Sequence, residues 1–513
     1  MWTPEPSVET LVITHIFFVL ALADLFCNLW PNSLTARCCG GLPRFLTGRF
    51  MIATSLQPAG EWAQKEFAFA VLGDLRLNKR LVNVATKLAA SPGGTLPQAF
   101  PDWAELKAAY RFFDNRSVDY KRVLQPHFER TRLACREPGE YLIIEDSSNL
   151  DFSHHPRTQD LGVIGDGQGK GFEVHSALAV RVEAWTLEQR PEGQLVGLFD
   201  QQCRRPRPAP KGERRRKRLE RRRKSSWWAE IFAGAEAPPQ GCRWIYIADR
   251  ESDFYEPIDR CQRKEIDFII RGFQDRRLAD EAGKLREALA KASVLGQCTV
   301  ELRARGGEAA RTAIVELRGV KVDLDGPWRP GGWQEPLRGV WVIEVQEVDA
   351  PEGVKEPLHW VLLTSLPCRT LAEARRIVGR YSARWWIEEY HKALKSGAGV
   401  EDSQLETGGR LEPLIAILAV VGVRLLNTKM LARSRPEGAE ARESFGPEAL
   451  AMLEKKFGRP KGPWSNQNVL IATARLGGFL ARKHDGMPGW QTIWRGWQRL
   501  MWMCEGLETL NTT

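Results

Sequence analysis

The chain has 513 residues, 43% hydrophobic and 27% charged, with a net charge of +10. That length and apolar share can bury a large core spread over several domains. The ten cysteines form no CxxC pair and no His/Cys ligand spacing, which argues against a zinc site and points to free thiols in a reducing cytosol.

Residues 1–50 are read as an upstream-translated or disordered extension. Leu11 to Leu20 is apolar, but Glu5 and Glu9 precede it with no Lys or Arg, the wrong sign for a signal peptide. His15 and Asp24 leave the run short for a membrane span. From Met51 to about residue 125 the pattern predicts helices. Trp62, Phe67 and Leu72 are spaced for a buried face, and Arg76, Lys79 and Arg80 lie about one turn apart.

From residue 126, strands are predicted at 141–146, 173–183, 194–200, 243–249 and 266–271, alternating with helix-like segments. Two of them end in acids. Tyr141 to Ile144 delivers Glu145 and Asp146, and Trp244 to Ala248 ends at Asp249. An apolar run tipped by an acid places a carboxylate where a sheet opens to a cleft. Glu145, Glu251 and Asp253 are assigned supporting or surface roles, and Arg271 tips a third strand. This order suits a ribonuclease-H-like α/β core. GDGQGKG at 165–171 lacks both the GxGxxG and P-loop patterns, so it is read as a mobile loop. Between Arg204 and Lys224 lie 13 Lys or Arg against two Glu, a net of +11, while the rest of the chain sums to −1. So dense a block repels itself unless it meets an anion, and phosphate contact is the expected role.

Residues 276–356 alternate polar with apolar between Gly and Pro, the mark of antiparallel strands. HWVLLTSLP, a strand-like run carrying Trp360, follows, and then RYSARWWIEEYHKALKSGAG. With no Gly or Pro between Arg380 and Gly397, this last segment is predicted as one helix. At about 100° per residue, Tyr381, Arg384, Glu388, Lys392 and Lys395 fall on one narrow face. A phenol, a guanidinium, a carboxylate and two ammonium groups do not make a core-facing stripe. They suit a metal ion and a run of phosphates. Beyond residue 430, Trp490, Ile493, Trp494, Trp497, Leu500 and Met501 sit at helical spacing as an apolar stripe.

Tyr381, Arg384, Glu388 and Lys395, at offsets of three, seven and fourteen, resemble the Y-R-E-K signature of bacterial DDE transposases. The family is the IS-four (Tn-five-like) group of insertion sequences. A strand followed by Glu145-Asp146-Ser147, and another followed by Asp249-Arg250-Glu251, resemble the settings of its first two triad acids. The resemblance runs from 51 to about 500.

The resemblance implies an α/β fold, a ribonuclease-H-like catalytic core interrupted by an antiparallel β insertion, with helical N-terminal and C-terminal domains. Its divisions are a DNA-end-binding domain at 51–125, the core at 126–275 and 357–429, the insertion at 276–356, and a dimerisation domain at 430–513. Asp146, Asp249 and Glu388 would be catalytic and hold two Mg²⁺ ions, with Mn²⁺ able to substitute. Trp360 would receive a flipped base and Trp385 would help expel it. Tyr381 and Arg384 would hold the displaced phosphate, while Lys392, Lys395 and Arg271 would contact DNA. Arg76, Lys79 and Arg80 would contact the element's ends. The apolar stripe would pair two copies. The implied function is cut-and-paste transposition: binding of double-stranded inverted terminal repeats, synapsis as a homodimer, strand cleavage through a hairpin, and joining to target DNA. No nucleotide cofactor or membrane is expected, and the protein is placed in a bacterial cytoplasm, at the nucleoid. A metal-dependent nuclease on the same core and a non-catalytic DNA-binding inhibitor of transposition are the alternatives.

Overall fold

The computed structural model describes residues 59–511, apart from 208–211, 213–229, 233–234, 280–282, 303–308, 330, 435–446 and 483–484. The extension at 1–50 and most of the basic run lie outside the described residues.

The described chain opens with helices α1 (Ala59–Phe67), α2 (Leu75–Ala90), α3 (Leu96–Ala99), α4 (Trp103–Phe113) and α5 (Tyr120–Ala134). Aspartates start three of them. The carboxylates of Asp74, Asp102 and Asp119 accept from first-turn backbone N–H groups that no helical carbonyl can reach. Trp62, Phe67 and Leu72 are buried, as their spacing predicts.

Strands β1 (Gly139–Asp151), β2 (Gly162–Ile164), β3 (Gly169–Trp185), β4 (Pro191–Arg204) and β5 (Cys242–Ala248) follow, then helix α6 (Tyr255–Arg263) and strand β6 (Asp267–Arg271). β1 pairs antiparallel with β3 and parallel with β5, β5 runs parallel to β6, and β4 pairs antiparallel with β3. The order β4-β3-β1-β5-β6, with β3 alone reversed, is the expected ribonuclease-H-like arrangement. The loop predicted at GDGQGKG is instead a paired hairpin turn, with Gly162 opposite Gly171 and Ile164 opposite Gly169. Gly165 and Gly167 turn the chain at φ 64° and 96°, which glycine adopts without a steric penalty.

Next come α7 (Leu285–Lys291), β7 (Val294–Leu302), β8 (Arg311–Leu324), the small hairpin β9 (Trp328–Arg329) and β10 (Gly332–Trp333), β11 (Leu337–Val348) and β12 (His359–Thr364). β12 pairs with both β6 and β11, β11 with β8, and β8 with β7, all antiparallel. The insertion therefore interrupts the chain but not the sheet, which continues from β6 through the Trp360 strand to β7.

The remaining elements are α8 (Leu371–Ser382), α9 (Trp385–Lys392), a π-helical turn (Ala393–Gly397), α10 (Gly408–Ser434), α11 (Pro447–Phe457), α12 (Asn466–Leu476) and α13 (Trp490–Asn511). α10 is long and apolar enough to cross a bilayer, yet 94% of its apolar window is buried in the protein. It is a core helix.

Strand alternation divides the core in two. Leu142 and Ile144 of β1, with Ile245 and Ile247 of β5, face the layer that includes α8, α9 and α10. Tyr141, Ile143, Trp244 and Tyr246 face the opposite layer, which includes α6. The apolar stripe of α13 is spent inside the chain. Trp490, Ile493, Trp494, Trp497 and Leu500 are all buried against neighbouring elements, whereas Trp502 is 60% exposed. Gly477 and Gly496 let α12 and α13 touch backbone to backbone: a Cβ on Gly496 would meet the Thr473 carbonyl at 1.7 Å. The stripe read as a pairing face is thus intramolecular packing.

Candidate active site

Side-chain alternation has a direct consequence for the acids. With a period of two, Asp146 continues the Leu142–Ile144 face and Asp249 continues the Ile245–Ile247 face. Both therefore point toward α9, while Glu145 goes to the other side. There Glu145 is fully buried, where it accepts from Tyr246 Oη and contacts His175 Nε2, and Tyr246 in turn bonds Ser252 Oγ at 2.8 Å. Burial pushes its carboxyl well up. Asp253 is also buried and accepts from the Phe273 and Gln274 backbone N–H groups at 2.7 Å and from Arg276. Glu251 stays exposed beside Ser147. Glu145 and Asp253 hold the frame.

A cleft of about 1780 Å³ opens at the tips of β1 and β5. Asp146, Asp249 and Glu388 line it, with Arg271, Trp360, Tyr381, Arg384, Trp385, Lys392 and Lys395. One cavity thus gathers every catalytic or DNA-contact candidate named from the core and the signature helix.

The signature segment is not one regular helix. α8 ends at Ser382 and α9 starts at Trp385, although Ala383 and Arg384 keep right-handed helical angles. Across the junction the bonds shorten to a three-residue span, Arg384 N–H to Tyr381 and Ile387 N–H to Arg384. After Lys392 the ladder loosens, and the Ala398 N–H reaches back five residues to Ala393 at 2.7 Å. The ideal 100° phase therefore fails, yet the five side chains still reach one cleft.

Arg384 is the centre of this arrangement. Its Nη1 donates to Asp146 Oδ2 at 2.7 Å and its Nη2 donates to Glu388 Oε1. Burial opposes its charge, but Asp146, Tyr381, Glu388 and Asp249 outweigh burial and raise its pKa. Burial also lifts the Asp146 carboxyl to about 6, against the pull of Arg384 and with the push of Asp249 and Glu388. Asp249 is raised as well, chiefly by burial, although its Oδ1 accepts from the Glu251 N–H at 2.8 Å. Among the described residues no three His, Cys, Asp or Glu side chains form a closed metal-ligand group. The donor set still fits a hard divalent cation. It consists of carboxylate oxygens, and its negative charge is only partly offset by one guanidinium.

The aromatic and basic groups ring these acids. Tyr381 is buried edge-on against Trp360, with centroids 5.0 Å apart at 70°, and burial pushes its phenol up to about 12. Trp385 tilts against Trp386 at 5.4 Å. Lys392 contacts Glu389 at 3.2 Å and Lys395 contacts Glu401 at 3.6 Å. Arg271 Nη2 donates to the His359 carbonyl at 3.3 Å. Arg190, Lys355 and Arg375 line the same cleft from three distant segments. Sequence reading missed them because no local motif joins them. Away from the cleft, Arg76 is 91% exposed and paired with Asp74 at 3.0 Å. Lys79 is exposed and Arg80 half-buried on the same helix, α2.

Three family models match successive parts of the chain. Residues 59–118 match the family described as Transposase DNA-binding, 240–421 match the Transposase DDE domain, and 420–511 match the Transposase Tn5 dimerisation domain. The three matches follow one another in chain order. The DDE match covers Asp249 and Glu388 and carries metal-dependent cleavage and strand transfer of DNA, with use of a divalent ion. The flanking matches carry DNA binding and dimerisation. The chain belongs to the Tn5-like, IS4-family DDE transposases.

Proposed function

We propose that Asp146, Asp249 and Glu388 are the catalytic triad of a cut-and-paste transposase and hold two Mg²⁺ ions, for which Mn²⁺ can substitute. The carrying observation is that acids from two strand tips and a helix, far apart in sequence, line one cleft with Arg384, Lys392, Lys395 and Trp360. Divalent ions bound there supply Lewis-acid polarisation of the scissile phosphate and a nucleophile at neutral pH. The chain's own groups position and neutralise. Arg384 and Tyr381 grip a phosphate on the displaced strand, Lys392, Lys395 and Arg271 follow the backbone, and Trp360 offers a face to an extruded base, helped by Trp385.

Water attacks first and frees a 3′ hydroxyl. That hydroxyl then attacks the opposite strand to give a hairpin, which is reopened before joining to target DNA. The helical domain at 51–125 reads inverted terminal repeats through Arg76, Lys79 and Arg80, and residues 430–513 pair two copies in a synaptic complex. The place of action is the bacterial cytoplasm, at the nucleoid. The test is incubation with Mg²⁺ of a linear double-stranded DNA carrying the element's ends. Joined products support this reading. Cuts without joining favour a nuclease, and retarded but intact DNA favours a non-catalytic binder.

A further inference from the structure

Arg384 bonds two of the three acids at once, and neither its position in the signature nor DNA contact explains that fork. Its two terminal nitrogens go to different partners: Nη1 to Asp146 at the tip of β1, and Nη2 to Glu388 on α9. The guanidinium side chain is only 19% exposed, and the Asp146 side chain 17%. Asp249 is held differently, through the Glu251 backbone N–H at 2.8 Å.

We propose that Arg384 is a built-in counter-ion that occupies the gap between Asp146 and Glu388 until a divalent ion and DNA replace it. The inference rests on the reading of Asp146 and Glu388 as metal ligands. Carboxylates drawn together on a partly buried wall repel one another, and a cation must stand between them for the wall to keep its shape. A planar fork with five donors can bridge two carboxylates, which a single ammonium point charge does less well. The location fits. Arg384 sits at the junction of α8 and α9, four residues before Glu388, so one side chain reaches its own helix and the strand tip together. When the acids turn to a divalent ion, the fork loses both acceptors, and a phosphate arriving in the cleft offers equivalent bidentate oxygens. The exchange ties release of Arg384 to arrival of DNA and keeps the ion site weak beforehand.

The test is Mn²⁺ titration of the full chain without DNA, read by the electron paramagnetic resonance of free Mn²⁺. Arg384→Lys keeps the charge but loses the fork, and Arg384→Gln loses both. Both variants should bind Mn²⁺ about tenfold more tightly than the native chain, in line with the size of outer-partner effects on metal sites. Native affinity in Arg384→Lys, or weaker binding in both, overturns the counter-ion role. Asp146→Asn on the Arg384→Lys background separates the two layers of the argument. Loss of the tight site keeps the reading of Asp146 as a ligand. Undiminished tight binding sinks that reading and the counter-ion role with it.

Discussion

Buried acids in the helical amino-terminal layer and in the cleft meet opposite fates. Glu66 of α1 is 2% exposed, and it bonds His127 Nδ1 at 2.7 Å and accepts from Arg130 at 2.6 Å. Burial acts to raise its carboxyl, but Arg130 and His127 outweigh burial and bring it down to about 2. Glu389 is the same kind of acid: Lys429 and Lys392 overcome burial and hold it at about 2. In the cleft burial wins, so Asp146 rises to about 6 and Asp249 also rises. Glu66 and Glu389 are saturated with cationic donors, whereas Glu145 has no Lys or Arg partner among the described residues and rises with burial. Asp146 and Asp249 rise too, and unlike Glu145 they line an open cleft, the setting in which a perturbed acid points to function. Glu388 and Glu389 are neighbours on α9, yet Glu388 lines the cleft while Glu389 turns away to Lys392 and Lys429.

The sharpest way to break this contrast is Glu388→Gln. If Glu388 is a functional acid, the change should reduce cleavage of end-bearing DNA by about 10³-fold in Mg²⁺. Binding of the same DNA by gel shift should be unchanged. Unaltered cleavage would remove Glu388 from the mechanism. Glu389 should behave the other way. Lys429→Met leaves a carboxylate on a nearly dry wall with Lys392 as its remaining named partner. Stability should fall by about 3 kcal/mol in urea unfolding, and adding Glu389→Gln should recover most of that loss.

Much of this division was legible in the sequence, for a simple reason. The apolar runs at Tyr141–Ile144 and Trp244–Ala248 read as buried strands that end in acids, the resemblance singled out Asp146 over Glu145, and side-chain alternation in the folded strand then sends Asp146 to the α9 side. The rest depended on partners far away in the chain. Nothing in Ser382-Ala383-Arg384 breaks a helix by propensity, and the junction coincides with Arg384 reaching across to Asp146. The π turn is equally silent, with no Pro or Gly inside until Gly397. Trp490, Trp494 and Trp497 have a spacing that suits a partner copy as well as a neighbouring helix. The close approach at Gly477 and Gly496 decided for the neighbour, and no period in the sequence encodes that.

A smaller effect tests the sign of the cleft's electrostatics. An acid whose folded pKa lies above its unfolded value weakens the fold once ionised. For Asp146 that penalty is absent below about pH 4, grows toward pH 6 and is complete above it. Without divalent ions, Asp146→Asn should therefore stabilise the chain at pH 7 by about 1–3 kcal/mol, and by nothing measurable at pH 4. Denaturation curves at the two pH values give the answer. A variant less stable than the native chain at pH 7 would show that Asp146 belongs with the saturated acids.

The smallest expected effect lies on the surface of the amino-terminal layer. Arg76 is fully solvated, and its pairing with Asp74 is of the exposed kind that contributes little to stability. Arg76→Ala should accordingly leave unfolding unchanged. Should Arg76 touch a phosphate of the terminal repeat, its loss weakens binding similarly for all DNA sequences. It would also reduce the slope of log affinity against log salt by about one. A loss confined to the repeat sequence, with the salt slope intact, would instead make Arg76 a reader of bases. Arg76 is drawn away by Asp74 before DNA arrives, much as Arg384 is drawn to Asp146 and Glu388. The two arginines differ in what each must give up: a solvated ion pair costs little to exchange for a phosphate, whereas a half-buried fork holds until a second cation takes its place.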